Sequence, residues 1–520
     1  MSWDDEIDAI ARRRELAKLH GGDEAVAKQH QRGRGVVRDR ISGLVDAESF
    51  HEQGSVAGVG EVDDAGNLKS FGPANVVVGS AKIEGRPVVV CGDDFTVGGA
   101  AYSAVGIRKG IYGDQLAARW RLPMVRLLEG GGAKISGALG AKNRSGYDLT
   151  QASPSNMVMA QILDTAPVVC AALGPVAGFP AARLVASHLS IMTRNTAHVM
   201  IGGPALVERA TGESLDKEQL GGADVHLRSG VVDNVAEDEE DCWRQIRAFL
   251  GYLPTNVGER PPVRDTGDTR DRREELLGSI VPRSRRRAYK MRRIIEAVVD
   301  RDSFFEMSPL YGRTTVTGLA RIDGRSVGVF ANDPHHLGGS MSADSARKVR
   351  RLVEMCDLFH LPIVTFVDQP GFLIGSEGER TGTIRFGVEA LFAAMQSRVP
   401  WASVIVRKSF GVAAGVHLGP GSTTFAWPSA EFGAMPIEGG VALAYRREIA
   451  EAPDPEARRR ELEDEVAQAQ SVFPRAEEFG VHELIDPRDT RRHLCDWLDT
   501  VDHVLRANVL AGPPRYTLRP

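Results

Sequence analysis

The 520-residue chain lacks most of the features that announce a function in a sequence. It has only five cysteines, an odd number, scattered at Cys91, Cys170, Cys242, Cys356 and Cys495 with no Cys-x-x-Cys pair. That argues against a disulfide framework or a zinc site and fits a reducing cytoplasm. No apolar run approaches the ~20 residues that cross a bilayer. The opening MSWDDEIDAIARRR has no apolar stretch of signal-peptide length, so a cytoplasmic protein without membrane contact is expected. Charge of one sign is also missing. A formal net charge of −5 gives no ground for expecting nucleic acid. Gly-Lys followed by Ser or Thr does not occur, which excludes a Walker loop. A G-x-G-x-x-G fingerprint fails because Ile135 stands three places after Gly132. There is no G-x-S-x-G nucleophile elbow and no His-Glu-x-x-His zinc helix, since VHELID (481–486) lacks the second histidine.

What the chain has is ordinary globular composition, 42% hydrophobic and 26% charged, together with 56 glycines and an internal repeat. GSAKIEGRPVVV (79–90) and GLARIDGRSVGV (318–329) match at a spacing of 239 residues. The same spacing pairs Leu122-Pro123 with Leu361-Pro362, each opening an apolar run. Gly98-Gly99 corresponds to Gly338-Gly339 if one residue is inserted. A period this long means duplicated domains rather than a solenoid. Continuous apolar strands (VVVC, MVRLL and VVCAAL; VGVF, PIVTFV and SVIV) alternate with helical patterns, which predicts α/β domains around parallel sheets. The spacing predicts one helix carrying Ile107, Ile111, Leu116 and Trp120, and another carrying Ile384, Val388, Leu391 and Met395. Residues 251–274, rich in Pro, Gly and charge, read as a linker; residues 1–45 and 445–520 read as charged helices suited to wrapping.

Glycines cluster where these strands end, the place where open parallel sheets bind ligands. Gly130-Gly131-Gly132 follows MVRLL and Pro370-Gly371-Phe372 follows the equivalent strand; GPVAG (174–178) and FGVAAG (410–415) follow the next pair. With no side-chain nucleophile in view, these turns suit a site built from backbone N–H donors aimed at a developing oxyanion. His335-His336 reads either as a ligand pair or base, or as packed or solvated histidines. The run Arg283, Arg285, Arg286, Arg287 reads either as solvated surface or as an anion-binding patch.

Several stretches together resemble the carboxyltransferase (beta) subunit of biotin-dependent acyl-CoA carboxylases of the propionyl-CoA and acetyl-CoA type. They are DDFTVGGA (93–100), GGGAKISG (130–137), GGADVHLRSG (221–230), VDQPGFLIG (367–375), GTIRFG (382–387), VRKSFGVAAG (406–415) and AWPSAEFGAMPIEGGV (426–441), in family order. The resemblance implies two tandem crotonase-like (ClpP/crotonase) β-β-α superhelix domains, 1–255 holding acyl-CoA and 256–520 holding biotin. It implies transfer of the carboxyl group of carboxybiotin to the α-carbon of an acyl-CoA through an enolate. By motif position the amides of Gly131 and Gly132 hold the thioester oxygen and those of Val412 and Ala413 the biotin ureido oxygen. Ala133, Gly178, Gly371, Phe372 and Gly415 line the substrate site. Gly415 stands where relatives commonly carry a larger residue, so an acyl group bulkier than acetyl is expected. Glu129-Gly130 replaces the family's Asp-Ser. No Ala-Met-Lys-Met biotin acceptor occurs, so biotin is expected on a separate biotin carboxylase/biotin carboxyl carrier (alpha) subunit, with no metal in this chain. A homo-oligomer, a hexamer in the family, is expected. A biotin-dependent decarboxylase alpha subunit and a catalytically inactive assembly subunit remain as alternatives.

Overall fold

The computed structural model of the chain describes residues 2–101, 103–132, 153–469 and 471–512. Its internal contacts fall into two units divided between Val257 and Gly258. Each is built on an eight-stranded sheet. In the first unit the central strands are β1 (Val76–Ile83), β2 (Arg86–Asp93), β3 (Met124–Gly130), β4 (Val168–Ala177) and β5 (Leu189–Thr193). They are adjacent in that order, with His51–Gln53 and Asn234–Ala236 at the two edges and His198–Met200 paired to β4. The second unit repeats the plan with β6 (Thr315–Ile322), β7 (Arg325–Asn332), β8 (Ile363–Gln369), β9 (Trp401–Phe410) and β10 (Thr423–Ala426).

The sheets are not wholly parallel, as the apolar runs had indicated. β1 and β2 pair antiparallel, as do β6 and β7; parallel pairing begins with β2·β3 and β7·β8. The cause lies in the repeated Gly-Arg motif itself. Glu84 and Gly85 have φ of 48° and 77°, and Asp323 and Gly324 have 52° and 74°. Two consecutive left-handed residues make the two-residue hairpin turn whose twist matches antiparallel strands. Asp46 accepts the Glu84 and Gly85 amides, and Asp300 accepts those of Asp323 and Gly324.

The repeat is more regular in space than in sequence. Each of β1–β3 maps onto β6–β8 at a spacing of 239 (Met124 onto Ile363), whereas β4 maps onto β9 at 233 (Val168 onto Trp401). The short helical turns Gly98–Ala100 and Leu337–Gly339 also align at 239. All three residues of each have positive φ, so no inserted residue separates them. The repeat begins upstream, at the helices Val37–Leu44 and Met291–Val298. The ion pair Arg38–Glu52 (2.6 Å) behind the first is matched by Arg292–Glu306 (2.6 Å) behind the second.

All residues of β3 and β8 are buried, as expected of strands covered on both faces. Arg126, inside β3, is wholly buried, yet its Nε donates to Asp114 at 3.0 Å and its Nη1 to the Ala186 carbonyl at 3.0 Å. Such pairing offsets the large cost of burying a charge. The helices Ala104–Trp120 and Ala343–Leu358 follow β2 and β7, each capped by a serine, Ser103 or Ser342, that accepts an amide of the first turn. In the first, Ile107 and Trp120 lie exposed, contrary to the predicted face. The buried side carries Gly106, Gly110, Gly113 and Ala117, because the helix sits too close to the sheet for larger residues. A Cβ on Gly113 would stand 2.8 Å from Val78.

The stretch read as a linker is structured. Residues 251–252 end the helix Glu239–Tyr252, and Arg272 donates to the Ala297 and Val299 carbonyls of the second unit. All five cysteines are free and buried. Among the described residues no helix is long and apolar enough to cross a membrane.

Candidate active site

In each unit the turns after β2/β7, β3/β8 and β4/β9 gather at the carboxyl ends of the parallel strands. In the first unit Gly132 has φ +75°, and a Cβ there would lie 2.8 Å from the Ala177 carbonyl oxygen and 3.8 Å from Gly178 Cα. Only glycine permits both that conformation and that approach. Gly131 is exposed and a Cβ on it would meet nothing within 4 Å. Gly178, with φ +68°, is also exposed and donates its N–H to Met200 O. The structure therefore brings Gly131, Gly132 and Gly178 together. Gly130 is buried, and a Cβ there would press on Ala100 at 3.1–3.3 Å. Ala133 lies outside the described residues.

In the second unit Gly371 and Phe372 form a loop stapled to Met341, which donates to Gly371 O and accepts from Leu373 N. The Gly371 N–H is taken by Gln369 Oε1 at 3.0 Å. The Phe372 ring lies on Gly387, where a Cβ would come within 2.2 Å of it. Val412 and Ala413 stand in the one-turn helix Gly411–Ala414, which follows β9 with no side-chain cap. Amides in a first helical turn have no acceptor within their own helix. Val412 is exposed and Ala413 fully buried. A Cβ on Gly415 would meet only Leu391 Cδ1, at 3.2 Å. His417 ties the two turns together: its Nε2 lies 3.4 Å from Gln369 Nε2, and burial pushes its pKa down to about 3, so the ring is neutral. His335 is exposed; His336 is half-buried with its Nε2 4.0 Å from Asp333. Among the described residues no three His, Cys, Asp or Glu side chains are grouped to hold a metal ion.

Sequence reading missed what supports these turns. Glu129, wholly buried at the end of β3, accepts from Arg34 Nη1 (2.6 Å), Arg40 Nη1 (2.5 Å) and Gln29 Nε2 (2.7 Å). The amino-terminal helical segment thus reaches the glycine turn instead of merely wrapping the unit. At the repeat-equivalent position Asp368 accepts from Arg407, from Tyr289 Oη at 2.9 Å and from the Lys408 amide. The strands below are matched too. Asp93 accepts the Glu129 amide at 3.3 Å, and Asn332 accepts the Asp368 amide at 3.0 Å.

Burial pushes the Asp93 carboxyl up to about 6, partly opposed by Arg183. A raised value means that the folded chain holds this proton more tightly than the unfolded chain. The contribution is therefore intact near pH 4 and is lost as pH climbs through 6. Asparagine already fills the equivalent position, so Asp93→Asn should fold. It is expected to raise stability at pH 8 by on the order of 2–3 kcal/mol and to leave it unchanged near pH 4. Denaturant titrations at the two pH values check this.

With the geometry in hand, comparison with known proteins adds the following. The family described as the carboxyl transferase domain matches residues 28–509. The propionyl-CoA carboxylase carboxyltransferase subunit of Haloferax mediterranei is 33% identical over 507 residues, covering 95% of both chains. The methylmalonyl-CoA decarboxylase alpha subunit of Veillonella parvula is 33% identical over 494 residues, covering 94% of both. A solved structure of the transcarboxylase 12S hexamer, with methylmalonyl-coenzyme A bound, superposes with a TM-score of 0.85 at 29% identity. That match covers 100% of this chain and 97% of the other. The two tandem crotonase-like α/β domains expected from the resemblance are the fold of this chain.

Proposed function

Because this chain belongs to the carboxyl transferase domain family, we propose that it is the carboxyltransferase component of a biotin-dependent acyl-CoA carboxylase. In this reading it places a carboxyl group on the α-carbon of an acyl-CoA. Biotin, on a separate subunit, supplies the carboxyl group and a ureido base. This chain's own part is to bind, orient and polarise. The Gly131 and Gly132 amides face the thioester oxygen, so that charge leaving the α-carbon collects against N–H dipoles already in place. The uncapped amides of Val412 and Ala413 would in the same way meet the biotin ureido oxygen, where negative charge develops as the carboxyl group leaves.

One observation carries this assignment. At the positions equivalent to Gly131 and Gly132 the second unit has Pro370, which has no N–H, and Gly371, whose N–H is spent on Gln369. At those equivalent to Val412 and Ala413 the first unit has Phe179 and Pro180, again with one N–H missing. In each unit proline removes a donor from one turn and leaves the other turn's pair whole. The surviving pairs lie on non-equivalent turns, as two different ligands would require.

The decarboxylase reading shares these turns and is favoured by the equal identity to the Veillonella subunit. The direction then depends on the partner. The absence of a side chain at Gly415, where even a Cβ would press on Leu391 Cδ1 at 3.2 Å, leaves to the ligand the room a larger residue would take, which fits an acyl group larger than acetyl. Self-assembly, as in the transcarboxylase hexamer, is supported by the helix Thr383–Gln396. Of its predicted apolar stripe Ile384 is 59% and Met395 41% exposed, with Val388 and Leu391 half-buried; Phe392 beside them is 57% exposed, while Gly387, Ala390 and Ala394 are buried. Phe392→Glu is expected to shift the chain to smaller assemblies in light scattering, with unchanged circular dichroism. Affinity capture of the full chain from its native source tests the function: a biotinylated polypeptide should co-purify in stoichiometric amount, and its absence would contradict the reading.

A further inference from the structure

Two members of the basic run read from the sequence, Arg285 and Arg286, meet at one cleft, and each has only loose acidic contacts, at 3.6–4.0 Å. They line this cleft, of about 280 Å³ in the second unit, together with Arg407 and Lys408 from the end of β9. Pro334 and Gly338, from the turn after β7, also line it. The cleft therefore opens at the carboxyl end of the sheet.

Its cations differ in what they are already doing. Arg407 is engaged: it donates to Asp368 and to the Arg287 carbonyl and lies 4.8 Å above the Tyr289 ring. The other three are not. Arg285 comes no nearer than 3.7 Å to Glu438 and 4.0 Å to Asp464, and Arg286 no nearer than 3.6 Å to Glu463. These separations lie beyond hydrogen-bond length. Among the described residues no side-chain hydrogen bond is recorded for Arg285, Arg286 or Lys408. Glu438 is the single acid lining the cleft. Burial raises the pKa of the neighbouring Glu431, with Arg285 and Lys408 opposing the rise.

We propose that this cleft binds a phosphate group. Two guanidinium forks and an ammonium, all with free donors, match a tetrahedral dianion with several acceptor oxygens. The loose contacts to Glu438, Asp464 and Glu463, at 3.6–4.0 Å, leave the arginine donors unsaturated. The volume admits a diphosphate and is far larger than one carboxylate needs. The phosphate has two possible sources, the diphosphate of a CoA thioester or a separate phosphorylated ligand, and the site's chemistry is the same for both. It goes beyond the carboxyl-transfer reading and stands independently of turnover.

Calorimetric titration of the full chain with inorganic pyrophosphate, CoA and pantetheine tests the proposal. Arg286 is 67% exposed along its side chain, so Arg286→Glu should fold. Pyrophosphate should bind the unaltered chain and lose affinity about tenfold or more in Arg286→Glu, and again in Lys408→Ala. If CoA affinity falls in step while pantetheine affinity does not, the phosphate belongs to CoA. If pyrophosphate alone is weakened, it belongs to a separate ligand. Equal pyrophosphate affinity in the unaltered and both altered chains, or none in any of them, would overturn the proposal, whatever the carboxyl-transfer assays show.

Discussion

Ala413→Pro is expected to lower kcat for carboxyl transfer by about 10²–10³, the usual effect of deleting one oxyanion donor. The KM for the acyl-CoA should change by less than about threefold, because the proposal puts the thioester on another turn. The substitution has an internal precedent. Pro180 occupies the equivalent position in the first unit, inside the helix Phe179–Val185, so proline is compatible with this turn. It removes an N–H and adds no charge. Gly131→Ala serves as a comparison: it keeps its N–H, and its Cβ would enter open space. An Ala413→Pro protein that is folded and turns over at the normal rate would show that the Val412–Ala413 turn is not an oxyanion site.

Glu129→Ala is expected to destabilise the first unit by about 3–5 kcal/mol, because it strands buried cations. Arg34 Nη1 would lose its acceptor at 2.6 Å. Arg40 would keep Glu239 (2.8 Å) and the Leu173 carbonyl (3.2 Å) but lose its 2.5 Å contact. Gly174 packs directly on this carboxylate, a Cβ on it falling within 2.3 Å of Glu129 Oε1, so Glu129→Ala also leaves the Gly174 backbone without its neighbour. Calorimetry should show the loss, and limited proteolysis should show earlier cleavage of the segment before Val37. A melting profile unchanged by Glu129→Ala would mean that the ion cluster does not hold the glycine turn.

How much of this was legible in the sequence depended on the length scale of the cause. The duplicated units were readable because hairpin residues such as Gly85 and Gly324 recur at fixed spacing, although the left-handed pair that makes each turn antiparallel went unrecognised. The helix after β7 obeys its periodicity: Val349, Leu352, Val353 and Cys356 all face the core. In the helices Ala104–Trp120 and Thr383–Gln396 the predicted faces hold only in part: Leu116 is buried and Ile111, Val388 and Leu391 are half-buried, but Ile107, Trp120, Ile384 and Met395 lie exposed. In both, glycine and alanine fill much of the buried side, which blurs a periodicity argument. The supports of Glu129 lie 89 to 100 residues away in the chain, and no local pattern points to them. Their charges read only as those of wrapping helices, and Arg285 and Arg286 as either solvated surface or an anion-binding patch, because a sequence shows a charge but not what faces it. The glycine turns were visible. The resemblance assigned a donor pair to each unit, and Pro180 and Pro370 at the equivalent places of the other unit support that proposal.

The most direct measurement of the central claim needs no partner. Incubation of the purified full chain with free biotin and malonyl-CoA or methylmalonyl-CoA labelled in the free carboxyl group reports carboxyl transfer as acid-labile label on biotin. The account predicts label that depends on chain and biotin and falls about 10²–10³-fold in Ala413→Pro. Folded chain that transfers no label from either thioester would contradict it.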